Sequence, residues 1–271
     1  GVALSFFSCS LKDSSTKHPH MDLETLKKPL RGVLHNSRRI LHKLRIPIRI
    51  HGVWILSHEL RSETILRKIF NRLYEIDEIS EILPRLQEDD VVLELGAAIG
   101  VVTCAMAKKV RKGKVLAFEP NFVIAELCER HLRLNSVDNV ELRRSVLGLV
   151  EGTTKFYVAP DYWSSSLTKS ADLNEIECKV ERLESTLSYL RPSVVVMDIE
   201  GGEYELLNSD HFLQCNSIKQ IFIEFHPVRE IELQLEQIEG RMKGFSSSVP
   251  FKAMLHMLQE GKQPTVVFTR L

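Results

Sequence analysis

The 271-residue sequence is 44% hydrophobic and 27% charged, with 36 basic residues set against 36 acidic ones. Such a composition belongs to a folded globular chain and excludes disorder along most of its length. A formal net charge of zero excludes coating of nucleic acid by bulk electrostatics, so that any such binding would need a local patch.

The length suits one large domain, or one domain with a small appendage, whose core holds without staples. Cys9, Cys104, Cys128, Cys178 and Cys215 are odd in number and scattered without Cys-x-x-Cys spacing. This argues against a disulfide framework or a zinc ribbon and for a reducing, cytoplasmic setting. No run approaches the roughly 18 to 20 apolar residues of a membrane helix, and no membrane span is expected. The opening Val2 to Cys9 is mildly apolar but lacks a basic leader, so a secretory signal is not expected.

Residues 1–22 mix Ser, Lys, His and Pro without periodicity and are predicted to form a flexible arm. Residues 23–85 are predicted as an N-terminal basic and helical extension. Between 27 and 49 it carries Lys27, Lys28, Arg31, Arg38, Arg39, Lys43, Arg45 and Arg49 with no acid, interleaved with Leu and Ile. Two readings stand: a solvated helix packing its apolar stripe on the main domain, or a docking face for an anionic surface such as RNA. Residues 46–56 alternate like a strand or hairpin arm. Residues 62–83 place apolar side chains at helical spacing, from Ser62 as N-cap to the stop at Pro84.

Residues 86–271 are predicted as the main domain. Strands at 91–95, 115–118, 139–143, 194–199 and 220–225 alternate with helices at 100–109, 122–135, 202–208 and 228–240. This is the rhythm of a parallel sheet with helices on both faces. An insertion at 150–183, with Tyr157, Tyr162 and Trp163 beside Ser164, Ser165 and Ser166, is expected to cross the open edge of the site. Val266 to Thr269 is expected to add a last, antiparallel strand.

The segment from Val91 to Gly100 reads as a buried strand entering a glycine turn that opens a helix, the place where a nucleotide-like ligand meets such a sheet. A dinucleotide site wants Gly-x-Gly-x-x-Gly, and counting from Gly96 the second and third positions hold Ala98 and Val101. An acid at Glu94 suits a ligand with a cationic amino-acid end, which is the character of S-adenosylmethionine; a strand and glycine turn kept only for packing is the alternative. About 20 residues on, Glu119-Pro120-Asn121 ends the next strand, where a carboxylate accepts both ribose hydroxyls. Ser145 and Val146 at the third strand's end would flank the adenine. Asp198 and Glu200 share one side of a strand end, and Glu203 follows in the first turn of a helix. Like charges this close call for a cation, an amide cluster or a raised pKa, unless Glu203 and Asp198 merely favour and cap their own helix. His226 lies at the next strand end, as a base or as a packing residue.

Glu94-Leu95-Gly96-Ala97-Ala98-Ile99-Gly100, Phe118-Glu119-Pro120-Asn121, Met197-Asp198-Ile199-Glu200-Gly201-Gly202-Glu203 and Ile223-Glu224-Phe225-His226-Pro227 together resemble the ordered motifs of the FkbM-type S-adenosylmethionine-dependent methyltransferases. The resemblance runs over about Tyr74 to His226. It implies a class I methyltransferase (Rossmann-like) fold: a seven-stranded, mostly parallel sheet with helices on both faces, here with a helical and strand N-terminal extension. It also implies methyl transfer to a hydroxyl oxygen of a small molecule or glycan. The family commonly carries Asp where Glu94 stands and a polar residue, often Asn, where Ala98 stands.

Cofactor contacts are expected from Glu94, Gly96, Ala98, Gly100, Glu119, Pro120, Asn121, Ser145, Val146 and Asp198. Asp198, Glu200 and His226 are the candidates for the base that takes the acceptor's proton. Oxygen ligation of Mg²⁺ by Asp198 and Glu200 is an alternative use of the same atoms, and a metal is not expected. The alternative activity is a nucleic-acid or protein methyltransferase docking through residues 27–49. Acceptor identity and oligomeric state are not written in the sequence.

Overall fold

A computed structural model of the chain describes residues 36–158, 165–166 and 174–271. The expected arm at 1–22, the first part of the basic segment, Tyr162, Trp163 and the side chains of Ser164, Ser165 and Ser166 lie outside the described residues.

Seven strands make the central sheet: β3 (Val91–Leu95), β4 (Lys114–Phe118), β5 (Val140–Arg143), β10 (Val194–Met197), β11 (Gln220–Glu224), β12 (Phe245–Ser247) and β13 (Thr265–Arg270). Their order is β12-β13-β11-β10-β3-β4-β5. From β5 to β11 every pairing is parallel, and β13 runs antiparallel to both β11 and β12. This is the class I methyltransferase arrangement. The central strands are aliphatic because both faces are covered: β10 is Val-Val-Val-Met and buried throughout. Chain order reverses between β3 and β10, and the register aligns Leu95 with both Phe118 and Met197, and Met197 with Ile223. The carboxyl ends of four strands therefore share one rim, at the switch point where open α/β sheets bind ligands.

The N-terminal extension shares the main core. Residues 36–43 are helical (α1), and β1 (Ile48–Ile50) pairs with β2 (Val53–Ile55) as a hairpin. Ile48, Ile50, Val53 and Ile55 are all buried in one cluster with Val92, Cys104 and Val115 of the main domain. Each such burial is worth roughly 1.5–3 kcal/mol. The hairpin is also bonded to α5 (Phe122–Leu134). The Leu56 N–H donates to His131 Nε2 at 2.8 Å, which makes Nδ1 the protonated nitrogen that donates to the Ile99 carbonyl at 2.8 Å.

The single helix expected over 62–83 is corrected to two, α2 (Glu63–Phe70) and α3 (Ile76–Ile82). Arg72 takes φ +60°, and the Leu73 N–H reaches back to the Lys68 carbonyl at 2.8 Å, the six-to-one closure of a left-handed helix end. The chain then turns Tyr74 inward, where it is 4% exposed. The strand expected over 194–199 stops at Met197, because Glu200 and Gly201 take positive φ and lead the chain away from the sheet. The insertion holds β7 (Gly152–Val158) and β9 (Asn174–Arg182), an antiparallel pair joined by β6 (Val146–Gly148) and by β8 (Ser165–Ser166). Further elements the sequence reading did not anticipate are α6 (Leu183–Leu190), α8 (His211–Gln214), α10 (Phe251–Gln259) and β12; α7 (Glu203–Leu207), α4 (Val101–Lys109) and α9 (Ile231–Arg241) follow it to within a few residues. No helix among the described residues is long and apolar enough to cross a membrane.

Candidate active site

The glycine turn after β3 is shaped by close approach. At Gly96 φ is +91°, and a Cβ there would lie 1.9 Å from the Asp198 carbonyl oxygen, so no other residue fits without displacing β10. Ala98 also lies in the left-handed region at φ +45°, a strained position for a residue with a Cβ. Its N–H donates to Glu119 Oε2 at 3.0 Å, while the Asn121 N–H donates to Glu119 Oε1 at 2.9 Å. Burial pushes the Glu119 carboxyl up to about 7, against the opposing pull of these two backbone bonds.

A cavity of about 620 Å³ covers the strand tips, within the size range of small-molecule and cofactor sites. Of the residues expected from the sequence, Gly96, Ala98, Glu119, Pro120, Ser145, Val146, Asp198 and Glu200 line it. Glu94, Gly100, Asn121 and His226 are not part of its wall. Glu94 is 2% exposed and borders a side cavity of about 20 Å³ with Tyr74, Glu78 and Asp198. Its Oε2 is buried without a hydrogen-bond partner, and burial pushes the carboxyl up to about 8. Gly100 opens α4, where a Cβ would lie 2.5 Å from Cys128 Sγ. Asn121 caps α5, its Oδ1 accepting from the Val123 N–H at 3.1 Å. The Ser145 hydroxyl donates to Glu181 Oε1 at 2.8 Å, which fixes its place in the wall.

Lys68, Tyr74, Glu75 and Glu78 of the extension also line the cavity, as do Thr153, Phe156 and Val180 of the insertion. Helical apolar spacing that runs on through Leu73 and Tyr74 hides the first group in the sequence. Asn71, a common helix-ending residue, was the available signal.

On the β10–β11 side of the rim, acids gather around one imidazole. His226 is 5% exposed. Its Nδ1–H donates to Glu203 Oε1 at 2.9 Å, and the same oxygen accepts from the Ile199 N–H at 3.1 Å. The Tyr204 hydroxyl donates to the His226 carbonyl at 2.8 Å. The other ring nitrogen, Nε2, lies 3.5 Å from Asp198 Oδ1, 3.5 Å from Glu200 Oε2 and 3.8 Å from Glu224 Oε1. Burial works to lower the His226 pKa, but the Glu203 hydrogen bond and the charges of Glu203, Asp198 and Glu200 outweigh it and push the ring up to about 9. Burial raises Asp198, Glu200 and Glu224 above the usual carboxylate range, with His226 pulling each back. Asp198, Glu224 and His226 each offer a ligand atom within 4.8 Å of the others.

The sequence model of the methyltransferase FkbM domain matches residues 94–260, from the acid of the glycine turn through the whole acid and imidazole rim. The chain belongs to that family. A curated protein of Beauveria bassiana named Methyltransferase 1 is 25% identical over 173 residues, 55% of this chain and 67% of its own length. Among solved structures, the FkbM methyltransferase of Methylobacillus flagellatus KT aligns with a TM-score of 0.45 and 14% identity, over 78% of this chain and 56% of its own. TYW2 of M. jannaschii, solved in complex with AdoMet, aligns with a TM-score of 0.44 and 14% identity, over 83% of this chain and 86% of its own. The FkbM assignment makes the protein a methyltransferase. The glycine cradle, the buried acid at Glu119 and the adjoining cavity are the parts that an adenosyl ligand requires, so the residues present fit S-adenosylmethionine.

Proposed function

We propose that this methyltransferase acts on a hydroxyl oxygen of a small molecule or glycan, with S-adenosylmethionine as donor. The observation that carries this reading is that one cavity joins the Gly96–Ala98 turn and Glu119 to the carboxylates Asp198, Glu200 and Glu224. When bound, the donor supplies an electrophilic methyl group on a sulfonium leaving group.

The rest is the work of the chain. Glu119 presents its carboxylate to the ribose hydroxyls while its two backbone bonds hold the turn in shape. Pro120, Ser145 and Val146 flank the adenine. An alcohol is a poor nucleophile until its proton is taken, and Asp198 and Glu200, at the cavity wall with pKa values raised by burial, are suited to take it. His226 sits behind that wall; held at Nδ1 by Glu203 and pushed up to about 9, it orients and balances the carboxylates, which leaves the base role to Asp198 and Glu200. Tyr74 of the extension and Thr153 and Phe156 of the insertion add to the wall beside these groups.

A nucleic-acid acceptor is disfavoured by the charge of the cavity. Its described lining carries the acids Glu75, Asp77, Glu78, Glu119, Asp198, Glu200, Glu205 and Glu224 and a single basic residue, Lys68, so it offers phosphates almost no cationic partners. Within the basic segment, Arg38 is spent on the fold, its Nη1 donating to the Phe70 carbonyl at 3.1 Å. The test is transfer of an isotopically labelled methyl group to a panel of polyols, glycosides and phenols alongside total RNA. Label on a hydroxylated small molecule or glycan supports the proposal; label on RNA alone overturns it.

A further inference from the structure

The rim cluster carries more ligand chemistry than a base requires. We propose that Asp198, Glu224 and His226 form a binding site for a divalent first-row transition-metal ion at the acceptor end of the cavity. This deepens the reading above by giving the hydroxyl acceptor a metal to bind, with Asp198 then holding the ion and Glu200 left to take the proton, and it departs from the expectation that no metal is used.

Four observations carry it. The His226 ring is buried and aimed at the carboxylates, with Nε2 at 3.5 Å from Asp198 Oδ1 and 3.8 Å from Glu224 Oε1. Those separations exceed the 2.7–3.2 Å of ordinary hydrogen bonds. The 3.5 Å separation matches the edge of a tetrahedral site, in which metal bonds of about 2.0–2.2 Å place neighbouring ligand atoms about 3.3–3.6 Å apart, and Glu224 at 3.8 Å stands slightly outside that edge. Second, Asp198 Oδ1 is buried with no hydrogen-bond partner among the described residues and faces the His226 ring at 3.5 Å, a costly condition that a metal ion taking the place of the Nε2 proton would relieve. Third, the opposite ring nitrogen is already engaged, because Nδ1–H donates to Glu203 Oε1 at 2.9 Å and Glu203 is 0% exposed. A carboxylate behind a histidine is how metal-ligating imidazoles are held in tautomer and orientation. Fourth, Asp198 and Glu224 both open onto the cavity, so a metal there would keep a face for an acceptor oxygen.

One imidazole and two carboxylates suit Zn²⁺, Co²⁺ or Mn²⁺ better than Mg²⁺, which prefers an all-oxygen octahedron. The chemistry differs from Mg²⁺ ligation by Asp198 and Glu200 in its ligand set: Glu200 Oε2 faces the same nitrogen but is the most exposed of the three carboxylates.

The test is titration of the chelator-treated full chain with Co²⁺ alone, read by visible absorption, with S-adenosylhomocysteine calorimetry on the same samples. The expected result is a saturable band at one equivalent. Glu224→Gln and His226→Gln weaken it at least tenfold, and Glu203→Gln, which touches no metal, weakens it roughly ten- to a hundredfold. Melting curves show whether each variant is folded, and Glu224→Gln, partly exposed, carries the test if His226→Gln does not fold. No band up to millimolar Co²⁺, or a band indifferent to Glu224→Gln, overturns the metal site. S-adenosylhomocysteine heat without a Co²⁺ band overturns the metal site and leaves the cofactor reading standing; a band without that heat does the reverse.

Discussion

Glu119 Oε2 accepts the backbone N–H of Ala98 at 3.0 Å, which ties the tip of β4 to the one residue with a Cβ that the glycine turn holds in the left-handed region. Glu119 thus braces the glycine turn, and in the proposed function the same carboxylate also receives the cofactor's ribose. Glu119→Ala should weaken S-adenosylhomocysteine binding by about 1–3 kcal/mol, through charged hydrogen bonds lost to the ribose and to Ala98. Isothermal calorimetry measures this. Unchanged affinity would remove Glu119 from the site.

Gly96→Ala tests the contact between β3 and β10. The new methyl would sit 1.9 Å from the Asp198 carbonyl oxygen at φ +91°. Overpacking and left-handed strain together should destabilise the fold by about 3 kcal/mol, a fall in Tm of about 6–12 °C for a domain of this size. A melting curve that superimposes on that of the wild type would contradict the packing described.

Asp198→Asn keeps the shape of the rim and removes a carboxylate. Turnover should fall by about 10²–10⁴-fold, the usual worth of general acid–base catalysis, while S-adenosylhomocysteine affinity stays within about threefold of wild type. Single-turnover methyl transfer and calorimetry on one preparation separate the two effects. Loss of affinity with unchanged turnover at saturation would reverse the assignment.

His131 sets an acid limit on stability. Burial lowers its pKa from 6.5 to about 4, because Nε2 accepts the Leu56 N–H and the ring sits at the heart of the hairpin's docking face. The unfolded chain binds this proton first as pH falls. The contribution is thus complete above about pH 6.5, is lost progressively down to about pH 4, and is constant below that. It amounts to about 3 kcal/mol at most. Urea unfolding of wild type and His131→Gln across this range should show their difference in stability shrinking with acid; a difference independent of pH would contradict the assignment.

The parallel sheet was legible because its strands are short aliphatic runs, such as Val194 to Met197, punctuated by glycine turns and acids at fixed distances. That pattern also marked Gly96, Glu119 and Asp198, which the fold brings to one cavity. What was not legible depends on contacts distant in sequence. Glu94 reads as a ligand-facing acid, and in the fold it borders a side cavity shared by Gly96 and Ala98 of the turn and by Tyr74 and Glu78 of the extension, the last two of which spacing does not bring there. Asn121 reads as a cofactor contact, and its side chain caps a helix. The break between α2 and α3 hid behind apolar spacing that continues across it, so the acids Glu75 and Glu78 entered the cavity wall unannounced. Glu224 and His226 sit two residues apart at the end of β11 and were legible as a pair, whereas the contact of the ring with Glu203, at the start of α7, joins two separate strand ends and is not given by spacing along the chain.

The central claim is that an adenosyl ligand lies across the tips of β3, β4 and β10. A crystal structure of the full chain soaked with S-adenosylhomocysteine tests it most directly. The account predicts ribose hydroxyls on the Glu119 carboxylate and the sulfur facing Asp198; a ligand bound away from Glu119, or no ligand at millimolar concentration, would contradict it.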